Sequence, residues 1–206
     1  MTKDIVSVIR ELFFVRDDCY PMQLDGLNEY KVIKRNLTTD IIARHIRGDI
    51  TIGSFQINPK DNMVKWICFD FDGDLEEEFE KAKRLFLKLK QKGFSPLLEF
   101  SGRRGYHVWL FVEHTDSKIA REFAVKISEE HKPSEIFPKQ DKIEKDGFGG
   151  QVKVPLGLHR ASNKCSYLFD DKLKILSKEG GIKYIIKISE KERDEIKTKG
   201  LLDFLY

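Results

Sequence analysis

An apolar run that ends in two acids constrains this chain most: residues 66–73 read WICFDFDG. Because side chains alternate across a strand, Asp70 and Asp72 lie on one face with Trp66 and Cys68, and the intervening residues line the other face. Two like charges at neighbouring positions on one face repel each other and resist removal from water. The pattern therefore predicts a buried strand whose two carboxylates share a cation, most naturally a divalent metal.

The same acids have a simpler interpretation as a solvated turn. The sequence Asp72-Gly73-Asp74 is typical of turn chemistry. Asp74 also stands where a helix N-cap is expected, with Glu77 at capping-box spacing. Asp70 fits this interpretation poorly, since a phenylalanine flanks it on each side. The metal hypothesis therefore depends mainly on Asp70.

Composition sets broad limits on the class of protein. The 206 residues, of which 40% are hydrophobic, suit one domain or two small modules that share a core. A formal net charge of +3 is compatible with nucleic-acid binding but too small to indicate it. Three cysteines without a C-x-x-C pair favour neither a disulfide framework nor a zinc knuckle. With no signal-peptide pattern and no apolar run long enough to span a bilayer, we expect a soluble, cytoplasmic protein.

Hydrophobic periodicity predicts a mixed α+β fold with a largely antiparallel sheet. Two short connections predict antiparallel hairpins: a turn at 58–62 joins strands at 50–55 and 64–72, and a turn at 102–105 joins strands at 95–101 and 106–112. The segment after the first helix, up to Asn36, has no clear period. The predicted helices are 5–13, one that is capped by Thr38 or Thr39 and stopped by Gly48, 75–93, 119–131 and from Ser189 onward. The other predicted strands are 135–137, 152–156, 166–169 and 182–188.

A second motif, Ser101-Gly102-Arg103-Arg104-Gly105-Tyr106-His107, has the chemistry of a polyphosphate grip. Glycines let backbone amides approach an anion, the hydroxyl donates, and guanidinium groups fork onto phosphate oxygens. The alternative is a surface hairpin with two solvated arginines. His107 alternates with Trp109 and Phe111 and therefore points inward, where it needs either a core partner or a phosphate oxygen.

A third segment runs from Glu135 to His159. Glu135 opens a short strand, and Lys153 interrupts a run of valines further along. A lysine in that position either extends from an edge strand into solvent or contacts a phosphate, and the sequence leaves both interpretations open.

The order of these motifs resembles the archaeo-eukaryotic primase superfamily, the primase-polymerases. The resemblance lies in Asp70-x-Asp72, then Ser101-x-x-Arg104-Gly105-x-His107, then a later acid in a short strand. Residues 45–53, 135–140 and 153–159 are similar to primase-polymerase domains of bacterial conflict systems and CRISPR-associated primase-polymerases. The match runs in order from about Arg16 to Asp170.

The resemblance implies a fold, an activity and ligands. The fold would be a single catalytic domain over 1–206, with an α/β module at about 1–63 packed on an RRM-like module at about 64–206 and the active site in the cleft between them. The activity would be template-directed nucleotide addition to a 3′ hydroxyl, with de novo priming left open. The partners would be a single-stranded or primed nucleic-acid template, dNTP or NTP, and further domains of a longer chain, with no membrane.

The resemblance also implies residue roles. Asp70, Asp72 and Glu135 would be the catalytic acids that hold two Mg²⁺ or Mn²⁺ ions, with Asp141 or Glu144 as substitutes for Glu135. Arg103 is an alternative to Arg104 as the inward arginine, and Tyr20 and Tyr30 are candidate sugar or base contacts. The predicted nucleotide-binding residues are Ser101, Arg103, Arg104, Gly105, His107, Lys153 and His159.

Two other functions compete with this one. The run around Asp70 also looks like the first motif of haloacid-dehalogenase-type phosphatases, with Asp70 as nucleophile, Asp72 as acid/base and Ser101 as the second-motif hydroxyl. Such enzymes need a parallel sheet and hence a helix after Ser101, whereas here a glycine turn leads straight into another strand. A non-catalytic RRM-like nucleic-acid-binding module would instead display stacking aromatics among basic residues, but acids occupy the inward row.

Overall fold

The computed structural model describes residues 4–195 and shows an α+β fold. The part of the predicted terminal helix beyond residue 195 lies outside the described residues. In chain order the elements are α1 (Ile5–Phe13), β1 (Tyr20–Gln23), β2 (Tyr30–Ile33), α2 (Thr39–Arg47), β3 (Gly53–Phe55), β4 (Met63–Asp72), α3 (Leu75–Gln91), β5 (Leu97–Phe100), β6 (Gly105–Asp116), α4 (Ser117–Ser128), β7 (Glu135–Phe137), β8 (Gln151–Lys153), β9 (Leu158–His159), β10 (Lys164–Cys165), β11 (Tyr167–Leu168) and α5 (Lys178–Glu195).

A five-stranded sheet in the order β11-β5-β6-β4-β7 forms the middle of the fold. Its centre is the pairing of the two long strands β4 and β6, and β5 joins β6 through the predicted hairpin. Every strand pairing within residues 4–195 is antiparallel. The predicted α+β class with a mostly antiparallel sheet is confirmed, and the parallel sheet that the phosphatase hypothesis requires is absent from the described residues.

The two faces of β4 bury different cores, as its alternation predicts. Ile67, Phe69 and Phe71 pack with residues of α3 and α4. Trp66 and Cys68 pack on the opposite face with residues of α1, α2 and α5. The sheet is therefore covered by helices on both faces over most of its area, and Asp70 and Asp72 lie on the Trp66 face, at the end of the strand where that cover stops.

Capping residues set the helix ends near the site. The Thr38 hydroxyl accepts from the Ile41 amide to begin α2, and Gly48, with φ of 94°, ends it. The Asp74 carboxylate accepts from the amides of Glu76 and Glu77 and begins α3. Asp74 is thus the predicted cap. Because β4 ends two residues earlier, at Asp72, the turn interpretation applies to Asp74 and the metal interpretation to Asp70 and Asp72.

Two sequence predictions are wrong. The strand at 50–55 does not pair with β4: Gln56 donates from its side chain to the Trp66 carbonyl, and β3 pairs instead with β8. The close approach of β8 suits Gly53, where a Cβ would come within 2.9 Å of the Val152 carbonyl. Residues 182–188 are helical rather than extended, because Ile185 and Ile188 bury one face at helical spacing.

The segment before Asn36, for which the sequence analysis predicts no element, forms a hairpin of β1 and β2. The division into modules at residue 63 stays a prediction. No helix among the described residues is long and apolar enough to cross a membrane.

Candidate active site

One transverse row of four polar side chains crosses the central sheet. Glu99 on β5 is paired with His107 on β6, His107 with Asp70 on β4, and Asp70 with Glu135 on β7. Directly paired residues share a face and hold their Cβ atoms about 4.5–5.5 Å apart. The neighbouring row, Leu97-Trp109-Cys68-Phe137, is wholly apolar. The polar row is therefore a local exception in a hydrophobic face, at the carboxyl end of β4.

A pocket opens over this row and gathers side chains from the five-stranded sheet, from the three two-stranded sheets β1–β2, β3–β8 and β9–β10, and from the turns beside them. Nine of the ten predicted site residues line it, which is the spatial proximity that the motif order implies. Gly105 does not line it: a Cβ there would come within 2.4 Å of the Phe71 carbonyl, so this glycine lets β6 begin against β4. The lining residues are Asn28, Tyr30, Asp70, Asp72, Ser101, Arg103, Arg104, His107, Glu135, Phe137, Gln151, Val152, Lys153 and His159.

Asp70 lies in the pocket beside two other acids, Asp72 and Glu135. Its side chain is 24% exposed. Burial raises the pKa of Asp70, His107 opposes that rise, and the charges of Asp72 and Glu135 add to it. A nearby cation would therefore stabilise the ionised carboxylate of Asp70.

The other two acids already have cationic partners. Asp72 forms a forked pair with Arg104, with distances of 3.0 Å from Nε to Oδ1 and 2.6 Å from Nη2 to Oδ2. Glu135 accepts from Lys139 at 2.7 Å. Both ion pairs are partly exposed, so each acid can exchange its present partner for another at a small cost in free energy.

The fit of a divalent ion to this pocket lies in its donor chemistry. Three carboxylates on one face of two paired strands supply the hard oxygen ligands that Mg²⁺ and Mn²⁺ prefer. Within residues 4–195, however, no three acidic, histidine or cysteine side chains are grouped closely enough to hold an ion as they stand. An ion would therefore have to draw Asp72 and Glu135 away from Arg104 and Lys139. Asp141 pairs with Arg121, and neither it nor Glu144 lines the pocket.

Hydrogen bonds from neighbouring residues stabilise the glycine turn of the second motif, residues 102–105. The Ser101 amide donates to the Gly105 carbonyl, which closes the turn. Ser162 donates to the Gly102 carbonyl at 2.6 Å, and a Cβ at Gly102, whose φ is 95°, would come within 2.9 Å of the Lys164 carbonyl. The β9–β10 hairpin thus supports the turn, and both Arg103 and Arg104 reach the pocket.

His107 has a core partner, Glu99, and its other ring nitrogen faces the pocket, so the contact with a phosphate oxygen stays a prediction. Its Nδ1 lies 3.1 Å from Glu99 Oε2, within the core, and its Nε2 faces Asp70 Oδ1 at 3.7 Å in the pocket. Burial lowers the pKa of His107, but the Glu99 bond and the Asp70 charge outweigh it, so the pKa is raised overall. Glu99 itself was missed by sequence reasoning. Its signal was its position two residues before Ser101, on the same strand face.

Lys153 and His159 line the opposite wall. Lys153 is buried and donates to Glu99 Oε1 at 3.4 Å and to the Val154 carbonyl at 3.2 Å, so it does not extend into solvent. Burial and the charges of Lys153 and Arg103 lower the pKa of His159 to about 4. His159 Nδ1 has no hydrogen-bond partner among residues 4–195. Tyr30 lines the pocket, whereas Tyr20 is buried in the core. Asn28, Phe137 and Gln151 also line it, and none of the three was among the predicted site residues.

Comparison with known proteins gives one strong match. Residues 4–198 match the family described as the archaeo-eukaryotic primase domain of the TOTE conflict system. No curated protein matches the chain. Among solved structures, the chain is similar to the catalytic domain of primase RepB′ in complex with initiator DNA, with 9% identity and a TM-score of 0.45 over 95% of this chain and 97% of that one. It is also similar to the polymerase domain of Mycobacterium tuberculosis Ligase D in complex with DNA, with 12% identity and a TM-score of 0.45 over 84% and 71%.

Proposed function

The chain belongs to the family of archaeo-eukaryotic primase domains of TOTE conflict systems, and we propose that it is a template-directed nucleotidyltransferase that adds nucleotides to a 3′ hydroxyl. The observation that carries this proposal is the polar row Glu99-His107-Asp70-Glu135 beneath one pocket. Asp70 and Glu135 of this row form the acidic end of the pocket, and His107 belongs to a group of hydrogen-bond donors at its other end. Nucleotide transfer needs both parts. The CRISPR association remains a prediction.

The acidic end is suited to divalent cations. Asp70, Asp72 and Glu135 would hold two ions, Mg²⁺ or Mn²⁺, as the preferred oxygen ligands of such ions. When bound, such ions lower the pKa of the attacking hydroxyl and neutralise the leaving pyrophosphate. The raised pKa of Asp70 supports this role, because a site whose acids repel one another gains free energy when a cation enters.

The other end would receive the triphosphate. Ser101, Arg103, Arg104, His107, Lys153 and His159 all line the pocket and offer donors. Arg104 is 61% exposed and pairs with Asp72, so an incoming triphosphate would compete for its guanidinium group. Transfer of Arg104 from Asp72 to phosphate would free that carboxylate for a cation. Nucleotide binding and metal binding would then support each other.

The remaining lining residues suit the sugar and base. Tyr30 and Phe137 offer ring faces, and Asn28 and Gln151 offer amide donors and acceptors. The template would be a single-stranded or primed nucleic acid, and the substrate a dNTP or NTP. The choice between these nucleotides, and de novo priming, are decided by the experiment below.

The test is nucleotide incorporation resolved on a gel. The protein would be incubated with Mn²⁺ or Mg²⁺, with dNTPs or NTPs, and with primed or unprimed template, beside Asp70→Ala and the control Asp17→Ala. Asp17 is a matched aspartate whose ion pair with Arg10 lies away from the pocket. We expect template-dependent products from the intact protein and from Asp17→Ala, and none from Asp70→Ala. Product from Asp70→Ala equal to that of the intact protein would contradict the role of Asp70, and no product with any nucleotide set would contradict the function itself.

A further inference from the structure

Glu99 is a fully buried carboxylate below the pocket floor, and it does not line the pocket. It is in contact with three donors. Oε2 accepts from Trp109 Nε1 at 2.9 Å and lies 3.1 Å from His107 Nδ1, and Oε1 accepts from Lys153 Nζ at 3.4 Å. Burial alone would raise the pKa of Glu99, but Lys153 and His107 reverse that effect and lower the pKa to about 2. The group is therefore an anion in the folded protein.

Stability alone does not account for a buried anion at this position. The removal of a carboxylate and an ammonium from water costs several kcal/mol each, and replacement of such pairs by well-packed apolar residues is often neutral or stabilising. The strands around Glu99 carry apolar residues at comparable positions, such as Leu97 and Leu168. A requirement other than stability must favour glutamate at position 99, and the contacts of Glu99 indicate what that requirement is.

The two pocket-facing partners of Glu99 come from different sheets. His107 belongs to the five-stranded sheet and Lys153 to the two-stranded β3–β8 sheet. Each lines the pocket while one of its nitrogens, His107 Nδ1 or Lys153 Nζ, contacts the same carboxylate. Because Glu99 occupies His107 Nδ1, the ring presents Nε2 to the pocket. Because it holds Lys153, the ammonium remains beside that ring.

We propose that Glu99 is a positioning residue that sets His107 and Lys153 in one fixed arrangement for a single polyphosphate. This inference rests on the proposed function, since it assigns the triphosphate as the ligand of both groups. Glu99 does not touch the substrate, and it acts only through the two side chains that it orients. A neutral glutamine could not serve the same three donors, because one of its two polar atoms is itself a donor.

The test separates positioning from stability. KM and kcat for the incorporated nucleotide would be measured for the intact protein, for Glu99→Gln, and for Glu78→Gln, in which another buried glutamate, paired with Lys81, is neutralised outside the pocket. We expect Glu99→Gln to raise KM about 10–100-fold, as befits the loss of a charged hydrogen-bond partner, with kcat changed less than about threefold. Glu99→Asp, which keeps the charge, should recover part of the affinity, and Glu78→Gln should leave KM unchanged.

Two results would overturn the inference: an unchanged KM in folded Glu99→Gln, or an equal rise in KM for both glutamine variants. If Glu99→Gln does not fold, the intact protein still decides the point by ¹⁵N nuclear magnetic resonance of its histidine rings. We expect His107 to show a slowly exchanging proton on Nδ1, and a ring with its proton on Nε2 alone would overturn the inference. That spectrum does not depend on activity, so it tests the role of Glu99 separately from the proposed function. The proposed function itself would be overturned by a complete absence of incorporation by the intact protein.

Discussion

The two halves of the polar row differ in how their charges are compensated. In the buried half, Glu99 and His107 are 0% and 8% exposed at their side chains and are bonded to each other. In the open half, Asp70 and Glu135 are 24% and 45% exposed, and like charges face each other. The pKa of Glu99 is lowered to about 2, whereas that of Asp70 is raised, although Glu99 is the more deeply buried acid. The partners of a carboxylate, rather than its depth, decide the direction of its pKa shift here.

This difference suggests that the two halves of the row have different roles. The buried half is complete without ligands, because each polar group has a fixed partner, and such a site can receive a substrate without reorganising. In the open half, to which we add the neighbouring acid Asp72, the charges are less fully compensated. Glu135 and Asp72 pair with exposed, exchangeable cations, and Asp70 faces only the His107 ring, at 3.7 Å. Substitutions in the two halves should therefore affect activity and stability in different proportions.

The largest effect is expected in the open half, from Asp70→Asn. If Asp70 holds a metal ion as proposed, its loss should lower nucleotide incorporation by on the order of 1,000-fold, since the stabilisation that a bound ion supplies is several kcal/mol. Because the pKa of Asp70 is raised by folding, the ionised carboxylate opposes folding at neutral pH. The thermal unfolding midpoint of Asp70→Asn should therefore be unchanged or higher. A clear fall in that midpoint would show that Asp70 is a structural acid and would remove the contrast.

In the buried half, His107→Gln should reduce both properties. Nucleotide affinity should fall about tenfold or more, and the free energy of unfolding should drop by about 2 kcal/mol, because Glu99 loses a charged hydrogen-bond partner. The pKa of His107 is raised from 6.5, so its contribution to stability is complete below pH 6.5 and is lost as pH rises through the folded-state value. Urea titrations at pH 6 and pH 9 should show the difference between the two proteins shrinking at the higher pH. A difference that grows would contradict the Glu99–His107 assignment.

His159→Gln should have a smaller effect, because this second pocket histidine is neutral at pH 7. With the pKa of His159 lowered to about 4, its replacement removes a neutral contact and should weaken triphosphate binding about threefold. A bound anion favours the protonated ring, so the advantage of the native protein should grow as pH falls from 7.5 to 5.5. Stability changes in the opposite sense: the unfolded chain takes up a proton below pH 6.5 and the folded chain does not, so His159 lowers stability on acidification. An effect as large as that of His107→Gln at pH 7.5 would mean that the two histidines are equivalent.

The open half was predictable from the sequence and the buried half largely was not. Alternation along one strand was enough to set Asp70 and Asp72 on a common face, and the motif order brought Glu135 and His107 to them. The partner of His107 was not predictable, because Glu99 sits in a short strand that reads as apolar and its contacts with His107, Trp109 and Lys153 are set by strand pairing. Cross-strand register is a long-range property that local patterns do not carry.

The errors in the fold have the same origin. The β3–β8 pairing joins residues almost a hundred positions apart, and no local signal indicated that β8 rather than β4 is the partner of β3. Residues 182–188 are rich in isoleucine, which favours strands locally, but the packing of Ile185 and Ile188 against the core decides in favour of a helix. Local propensity was sufficient where caps mark the ends, as at Thr38 and Asp74.

The smallest effect should come from Lys139→Ala, which tests whether the open half is as exchangeable as its exposure suggests. Lys139 and Glu135 are 42% and 45% exposed, so despite a separation of 2.7 Å the pair should contribute less than about 0.5 kcal/mol to stability. Without Lys139, a cation would no longer compete with an ammonium group for Glu135. The Mn²⁺ affinity measured by titration should therefore rise about twofold.

Lys83→Ala is the matched control for that measurement, because Lys83 forms a partly exposed ion pair with Glu80 on α3, outside the pocket. It should change stability as little as Lys139→Ala does, and it should leave Mn²⁺ affinity unaltered. If Lys139→Ala instead cost more than about 1 kcal/mol, its ion pair would behave as a structural one. Glu135 would then be committed to Lys139 in the way that Glu99 is committed to Lys153, and the open half would have only Asp70 and Asp72 to offer a metal.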